Sequence, residues 1–213
     1  MDELELLKKD WNNEDNKYPK LTYNQIYKMI LKRSSSIVKW IFIISLLEFI
    51  FWTFISLLLK DNENIKRFDQ FNGDVTFITL MVIGYIILVY FFYCFFKNYK
   101  TISATDNAKV LMENILKTRK TVKQYVAFNL IYLVISTIII LIFEFQKDSI
   151  FIEQVNQATA NGQAFKFYAL FILSVLVLLV VAIGVLLLFY WAVYGLLLNR
   201  LNRNYKELQK LDE

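Results

Sequence analysis

The sequence predicts an all-α integral membrane protein, a four-helix bundle with both termini in the cytoplasm (N-in/C-in) and cytoplasmic amphipathic helices beside the spans. Three observations predict this class. Hydrophobic residues make up 57% of the 213 positions, against roughly 45–50% in a typical soluble domain. Four apolar stretches are each long enough to cross a bilayer. Lys and Arg are concentrated on one side of those stretches.

The four predicted spans are residues 36–59, 75–96, 125–145 and 167–191. A hydrocarbon core of about 30 Å requires about 20 residues of helix, and each stretch provides that length. A helix buried in a soluble protein is seldom apolar on every side over such a length. The chain has 1 Pro and 5 Gly, which suits long helices and disfavours a β-barrel with a turn about every ten residues.

The distribution of Lys and Arg predicts the orientation of the spans. Of 24 such residues, 19 lie before residue 40, within residues 97–124 or after residue 191, and 5 lie in the loops 60–74 and 146–166. The positive-inside rule therefore places both termini and residues 97–124 in the cytoplasm, and the two loops outside. An aromatic belt at the inner headgroups is expected from Trp40, Tyr93, Tyr125, Tyr190, Trp191 and Tyr194.

Residues 1–35 are predicted to form a cytoplasmic helical arm. Thr22 is the expected N-cap of its second helix, with Gln25 as the capping-box partner, and this helix could continue into the first span. The arm either lies on the membrane surface and the bundle or docks a cytoplasmic partner. Residues 192–213 form the cytoplasmic tail.

Residues 97–124 are predicted to form a cytoplasmic basic amphipathic helix, capped by Thr105 or Asp106. Such a helix in front of a span is typical of the membrane interface. The alternatives are that its basic residues only set the orientation or that they dock anionic lipids or a protein. Its apolar stripe consists of Ala108, Leu111, Met112, Ile115, Val122 and Val126.

Short echoes indicate a possible parallel internal repeat. Residues 30–32 and 38–39 resemble residues 115–117 and 122–123, and the Asn-Tyr-Lys of residues 98–100 recurs at residues 204–206. The alternative explanation is the general abundance of Lys, Asn and Ile in the chain.

Glu48 is the most conspicuous polar residue within the spans. It lies eight residues after Trp40, about 12 Å along the helix, which predicts a position near the midplane. A carboxylate at that depth should face protein or water, or take up a proton. Because no Lys or Arg lies at a matching depth, its expected hydrogen-bond partner is Tyr85, Tyr132 or Ser136.

Glu48, Tyr85, Asn129 and Tyr132 together form the candidate intramembrane polar site. Three roles are open for Glu48: a hydrogen bond that holds helices together, proton or cation handling, and a contact with another subunit or partner. Asn129 is expected to bond across helices, and Glu144 is expected to reach water at the outer end of its span.

The composition excludes much enzyme chemistry. With 0 His and the single Cys94, the chain cannot build the usual zinc site, a His-ligated haem or a Ser-His or Cys-His hydrolase. No phosphate-binding glycine loop occurs, and the basic segments flank spans, so neither a cofactor nor nucleic acid is expected.

Residues 6–11 (Leu-Leu-Lys-Lys-Asp-Trp), Ile26 to Met29 and Ser34 to Trp40 resemble a family of bacterial four-span membrane proteins of unknown function. The resemblance extends over the chain and implies a multi-pass protein of the bacterial inner membrane. Some members carry the label β-carotene 15,15′-monooxygenase. Such oxygenases bind iron through histidines, and this chain has none, so the resemblance implies no activity.

Two functions are compatible with these observations. The first is a non-catalytic accessory, scaffold or regulatory protein that binds a cytoplasmic partner through residues 1–35 and 97–124. The alternative is a small ion or solute transporter or channel that uses Glu48, possible as a homo-oligomer although no GxxxG motif occurs.

Overall fold

The computed structural model describes residues 21–59, 75–105, 107–147 and 149–212, and these ranges contain no β-strand. Their elements are α1 (Tyr23–Leu59), α2 (Val75–Ser103), α3 (Ala108–Lys147), α4 (Ser149–Ala160), α5 (Ala164–Tyr190), a π-helical turn (Trp191–Gly195) and α6 (Leu196–Asp212). α5, the π-helical turn and α6 follow without interruption and form one long rod. The predicted all-α class is confirmed for the described residues; the structure predicted in residues 1–20 and 60–74 lies outside them.

Four helical segments are long and apolar enough to cross a membrane: Tyr23–Leu58, Val75–Ser103, Ala108–Phe143 and Ala164–Leu211. α3 has 40 residues, so it is about 60 Å long, about twice the thickness of a bilayer core. The additional length lies at the end of the bundle that carries residues 21–39, 97–124 and 196–212. We call this end the basic end, because most of the Lys and Arg residues lie there.

A buried stripe with coiled-coil spacing holds the basic end together. In α1 the buried residues include Ser34, Val38, Ile41, Ser45 and Glu48, and in α3 they include Leu111, Ile115, Thr118, Val122 and Tyr125. Both series advance by alternate steps of four and three residues, which keeps one face of each helix toward its partners. α1 and α3 each pack against α2 and α6, so every neighbouring pair is antiparallel, as in an up-down four-helix bundle.

The bundle opens on the other side of Glu48. The rod contacts α1 chiefly through α6 rather than α5. Apolar side chains of α5 are largely exposed, among them Leu178 at 68% and Val180 at 67%. A continuous exposed apolar surface of this kind is typical of a membrane-facing region.

Residues 97–124 do not form a separate interfacial helix, which corrects the expectation from sequence. α2 continues to Ser103, and α3 begins at Ala108 and runs directly into the third apolar stretch. The stripe residues Leu111 and Ile115 lie in the bundle core, because the other long helices extend equally far and cover them. The cap is Asn107, whose Oδ1 accepts a hydrogen bond from the Lys109 N–H at 2.8 Å, and not Thr105; Asp106 lies outside the described residues.

Two further helix ends follow from local sequence. α1 begins directly after Thr22, whose N–H donates to Oε1 of Gln25 at 2.9 Å, one half of the expected capping box. Residues 146–166, expected as a loop, contain α4. This helix packs Phe151 against Phe145 and Phe171 of the adjoining helices, with ring centroids 4.9 Å and 4.7 Å apart.

α2 and α3 approach closely at Gly84. A Cβ atom at this position would lie 2.7 Å from Oη and 2.9 Å from Cζ of Tyr132. The Tyr132 hydroxyl donates a hydrogen bond to the carbonyl oxygen of Leu80 at 3.2 Å, which holds the ring over the glycine. The absence of a side chain at Gly84 therefore sets the distance between these helices.

We expect Gly84→Ala to lower the free energy of unfolding in detergent by about 1–3 kcal/mol, because the added methyl group overpacks the contact with Tyr132. Gly184→Ala is the matched control, since a Cβ there meets nothing within 4 Å; it should be neutral or slightly stabilising. Thermal unfolding of the purified variants measures both. Equal losses from the two substitutions would contradict the close approach.

Candidate functional site

Glu48 lies at the centre of a tyrosine cluster. Its Oε1 accepts a hydrogen bond from the Tyr190 hydroxyl at 2.8 Å. Its Oε2 accepts hydrogen bonds from the hydroxyls of Tyr125 at 3.0 Å and Tyr194 at 3.2 Å. The Glu48 residue is only 6% exposed. One carboxylate of α1 thus joins α3 and the long rod at a single level.

The π-helical turn lies beside two of these tyrosines. Tyr190 is the last residue of α5, and Tyr194 belongs to the turn Trp191–Gly195. A π-helical turn is wider than an α-helical turn, and such insertions in α-helices are frequent at functional sites. Tyr190 and Tyr194 are four residues apart and therefore lie on one face of the rod, from which both reach the same carboxylate. No proline marks the turn, so the amino-acid pattern did not predict it.

Aromatic packing holds Tyr125 in place. Its ring makes edge contacts with Phe91 and Phe95 of α2, with both centroids at 5.5 Å, and with Tyr190 at 6.3 Å. Edge-to-face arrangements of this kind are favourable beyond the area that they bury. α2 thereby supports the cluster without giving a hydrogen bond to Glu48.

The partners of Glu48 differ from those expected. Tyr132 donates to Leu80 and Ser136 to the Leu133 carbonyl, whereas the tyrosines assigned to an aromatic belt bind the carboxylate. Tyr125 begins the third predicted span and Tyr190 lies near the end of the fourth. Glu48 is therefore closer to the basic end than the midplane position expected from counting residues along α1 alone.

The six belt residues divide into two sets. Trp40, Tyr93 and Trp191 are exposed at 53%, 60% and 71%, as a belt requires. Tyr125, Tyr190 and Tyr194 are at most 5% exposed. Spacing along one helix could not separate the two sets, because each set is defined by which face meets the other helices.

A cavity begins at Glu48 and extends away from the basic end. Its volume is about 340 Å³, and its lining includes Glu48, Trp52, Asn129, Tyr132 and Tyr190. A second cavity of about 300 Å³ shares Trp52, Asn129 and Tyr132 with the first and reaches Gly84 and Tyr85. The four residues of the predicted polar site therefore line two adjacent cavities, with Asn129 and Tyr132 in the walls of both.

The amide of Asn129 does not cross to another helix, contrary to expectation. Its Nδ2 donates to the Tyr125 carbonyl oxygen within α3 at 2.9 Å. Tyr85 packs edge-on against Phe49, with centroids 6.2 Å apart, and is half exposed. The Glu144 side chain lies outside the described part of the structure.

Glu48 has no cationic partner within salt-bridge distance among the described residues, and its charge is met only by uncharged hydroxyl donors. The same residues contain no group of three or more Cys, Asp or Glu side chains that could hold a metal ion. The chemistry of this site is therefore that of one buried carboxylate, three phenol hydroxyls and an adjoining apolar cavity.

The fold and the site define a helical bundle with four potential membrane spans and a buried polar cluster around Glu48. The chain belongs to the family described as domain of unknown function DUF8845, which matches residues 24–213. Neither the curated proteins nor the solved structures compared with it contain a match. Family membership agrees with the resemblance to a family of unknown function and assigns no activity.

We expect Tyr190→Phe to destabilise the bundle by about 1–2 kcal/mol, because it removes one of three donors to a buried carboxylate. Tyr93→Phe is the matched control on an exposed ring and should change stability by less than about 0.5 kcal/mol. Thermal unfolding in detergent measures both. A Tyr190→Phe variant as stable as its control would mean that this hydrogen bond contributes nothing.

Proposed function

We propose that the chain is an integral membrane protein of a bacterial cell membrane, with its basic end in the cytoplasm. Four apolar helices and the exposed apolar surface of α5 support insertion into a bilayer. The concentration of Lys and Arg at one end supports the orientation. Residues 60–74 and α4 then lie outside the cell.

Within that setting, the geometry best supports a small transporter or channel that binds a proton or a small organic cation at Glu48. The observation that carries this proposal is the buried carboxylate beside an open cavity, with no cationic side chain within salt-bridge distance. Taking an ionised carboxylate out of water costs several kcal/mol. Neutral hydroxyls offset part of that cost, and a proton or a bound cation removes the remaining charge.

The cavity walls favour a cation with apolar groups. Phe49, Trp52, Tyr132 and Tyr190 place aromatic rings around the space next to the carboxylate. Aromatic faces attract cations, most strongly where water is excluded. The volume of about 340 Å³ lies near the lower end of the usual range for ligand pockets, roughly 300–1,000 Å³. A small alkylammonium ion fits these properties, and it would compete with a proton for Glu48.

The experiment measures binding of tetrapropylammonium to purified protein by tryptophan fluorescence, since Trp52 lines the cavity. We expect Glu48→Gln to weaken binding at least about tenfold, because the amide keeps the shape but not the charge. Glu113→Gln, which removes an exposed carboxylate at the basic end, should leave binding unchanged. Affinity of the wild type should fall as the pH is lowered, because protons compete for Glu48.

Two controls complete this test. Trp52→Phe should abolish the fluorescence change while calorimetry still detects binding. Flux of the cation into proteoliposomes, driven by a proton gradient, should stop in Glu48→Gln and continue in Glu113→Gln. If Glu48→Gln lowers stability but changes neither binding nor flux, the carboxylate only holds helices together and the proposal fails.

The accessory role predicted from sequence is the second candidate. The outward face of α3 supports it, where Val110 and Leu116 remain 44% exposed among basic residues. The opposite, apolar face of this helix is covered by the bundle, so a partner would contact only the outward face.

For the accessory role, deletion of residues 1–20 should release a protein that co-purifies with the intact chain, while the described helices stay folded. Affinity purification in mild detergent with mass spectrometry measures the loss. Leu116→Asp should weaken the same complex, and Leu57→Asp, at the opposite end of the bundle, should not. A protein retained equally by all variants would not be bound by these segments.

A further inference from the structure

The buried polar pairs of the basic end show an internal repeat. Asn98 of α2 donates its amide to the Thr121 hydroxyl of α3 at 3.2 Å. Asn204 of α6 donates its amide to the Ser34 hydroxyl of α1 at 3.0 Å. In both pairs an asparagine on the second helix of one hairpin meets a hydroxyl on the first helix of the other hairpin. This exchange is what an approximate twofold axis along the bundle produces, with the two hydroxyls offset by three residues, because Ser34 is equivalent to Thr118 and not to Thr121.

The buried positions define the register of the repeat. Equivalent residues lie 84 positions apart in α1 and α3, and 106 positions apart in α2 and the rod. The first spacing aligns the buried residues Ser34, Val38 and Ile41 with Thr118, Val122 and Tyr125. The second aligns the buried residues Phe95, Asn98 and Ile102 with Leu201, Asn204 and Leu208.

A cleft lies beside each of the two asparagines. Cleft A, of about 480 Å³ between α1 and α6, is lined by Asn204 and three arginines, Arg33, Arg200 and Arg203. Cleft B, of about 400 Å³ between α2 and α3, is lined by Asn98 and three lysines, Lys97, Lys117 and Lys120. In cleft A, the Glu207 carboxylate also contacts Arg203 at 3.4 Å. The three arginines and this glutamate together give cleft A a net charge of plus two.

The cations of the two clefts follow the repeat in part. Arg33 is equivalent to Lys117, and Arg203 is equivalent to Lys97. The third cation is Arg200 in cleft A and Lys120 in cleft B, and these positions are not equivalent. Each cleft therefore keeps three cations although the third comes from a different helix of the pair. Helix packing does not require them, because such side chains are exposed, Arg203 by 82%.

We propose that each cleft binds the phosphate group of an anionic membrane lipid. Several cations from two helices around one small space match the charge and the acceptor oxygens of a phosphate. Basic pockets between spans on the cytoplasmic side bind lipid headgroups in this way. Lys97 directly follows the second predicted span, so the cations lie at headgroup level. Ile37 in cleft A and Phe91 in cleft B provide apolar contacts on the same walls.

The test uses delipidated full-length protein in a neutral detergent, titrated with dioctanoyl phosphatidylglycerol, with bound lipids counted by native mass spectrometry. We expect two bound lipids. Arg33→Gln, Arg200→Gln and Arg203→Gln combined should remove one, and Lys97→Gln, Lys117→Gln and Lys120→Gln combined should remove the other. Each triple variant should weaken its own site about 100-fold.

The matched control combines Lys28→Gln, Lys109→Gln and Lys206→Gln, which removes the same charge from exposed positions outside both clefts, and it should retain two lipids. Loss of lipid from this control equal to that of the cleft variants would overturn the proposal in favour of diffuse attraction. Equal occupancy by inorganic phosphate at the same concentration, or by dioctanoyl phosphatidylcholine, would overturn it as well.

Melting curves without lipid check that each variant is folded. If a triple variant melts earlier than the control, a single substitution replaces it: Arg200→Gln in cleft A or Lys120→Gln in cleft B. Each should weaken its own cleft about fivefold while the other cleft stays filled. Unchanged lipid binding in a folded Arg200→Gln variant would also overturn the assignment of cleft A.

Discussion

The hydrogen bonds between Glu48 and three tyrosines are the constraint on which the rest of the structure depends. A desolvated carboxylate is tolerated only when its oxygens are hydrogen-bonded, and Tyr125, Tyr190 and Tyr194 provide that from α3 and the rod. Three helices are therefore fixed at one level. Toward the basic end, the buried stripe with coiled-coil spacing closes the bundle. In the opposite direction, the bundle opens into the cavity.

The buried stripe at the basic end contains both apolar and polar residues. Most of the buried hydrophobic residues in the core of the basic end are Leu, Ile or Val. The two asparagine–hydroxyl pairs add a requirement that apolar residues cannot impose, because each buried amide must meet a hydroxyl on the neighbouring helix. A buried polar residue at a seam position is known to specify register in coiled coils. Here the pairs define which helices are neighbours.

The two halves of the repeat are similar at the basic end and different around Glu48. With the same register, Glu48 is equivalent to Tyr132, and Tyr190 is equivalent to Gly84. The contact between Glu48 and Tyr190, a hydrogen bond of 2.8 Å, therefore corresponds to the contact between Tyr132 and Gly84, where the ring covers the glycine. The Glu48 carboxylate on α1 thus takes the position that the Tyr132 ring, packed on Gly84, takes on α3. This difference gives the molecule a single carboxylate site on a pseudo-symmetric scaffold.

The sequence by itself determined the all-α class, the four apolar stretches and the end at which the cations collect, because these depend on length, composition and local spacing. It also identified Glu48, since a carboxylate within an apolar stretch is conspicuous without any knowledge of its neighbours.

Only the tertiary structure decided which residues are the hydrogen-bond partners of Glu48. Tyr125 and Tyr190 are of the same residue type as belt residues and lie equally close to the ends of their spans. Their burial depends on the rotation of α3 and the rod about their axes. The packing of α3 against α1, α2 and α6 also places Leu111 and Ile115 in the bundle core, where local amphipathicity had favoured a position at the membrane interface. Contacts between helices distant in sequence set both outcomes.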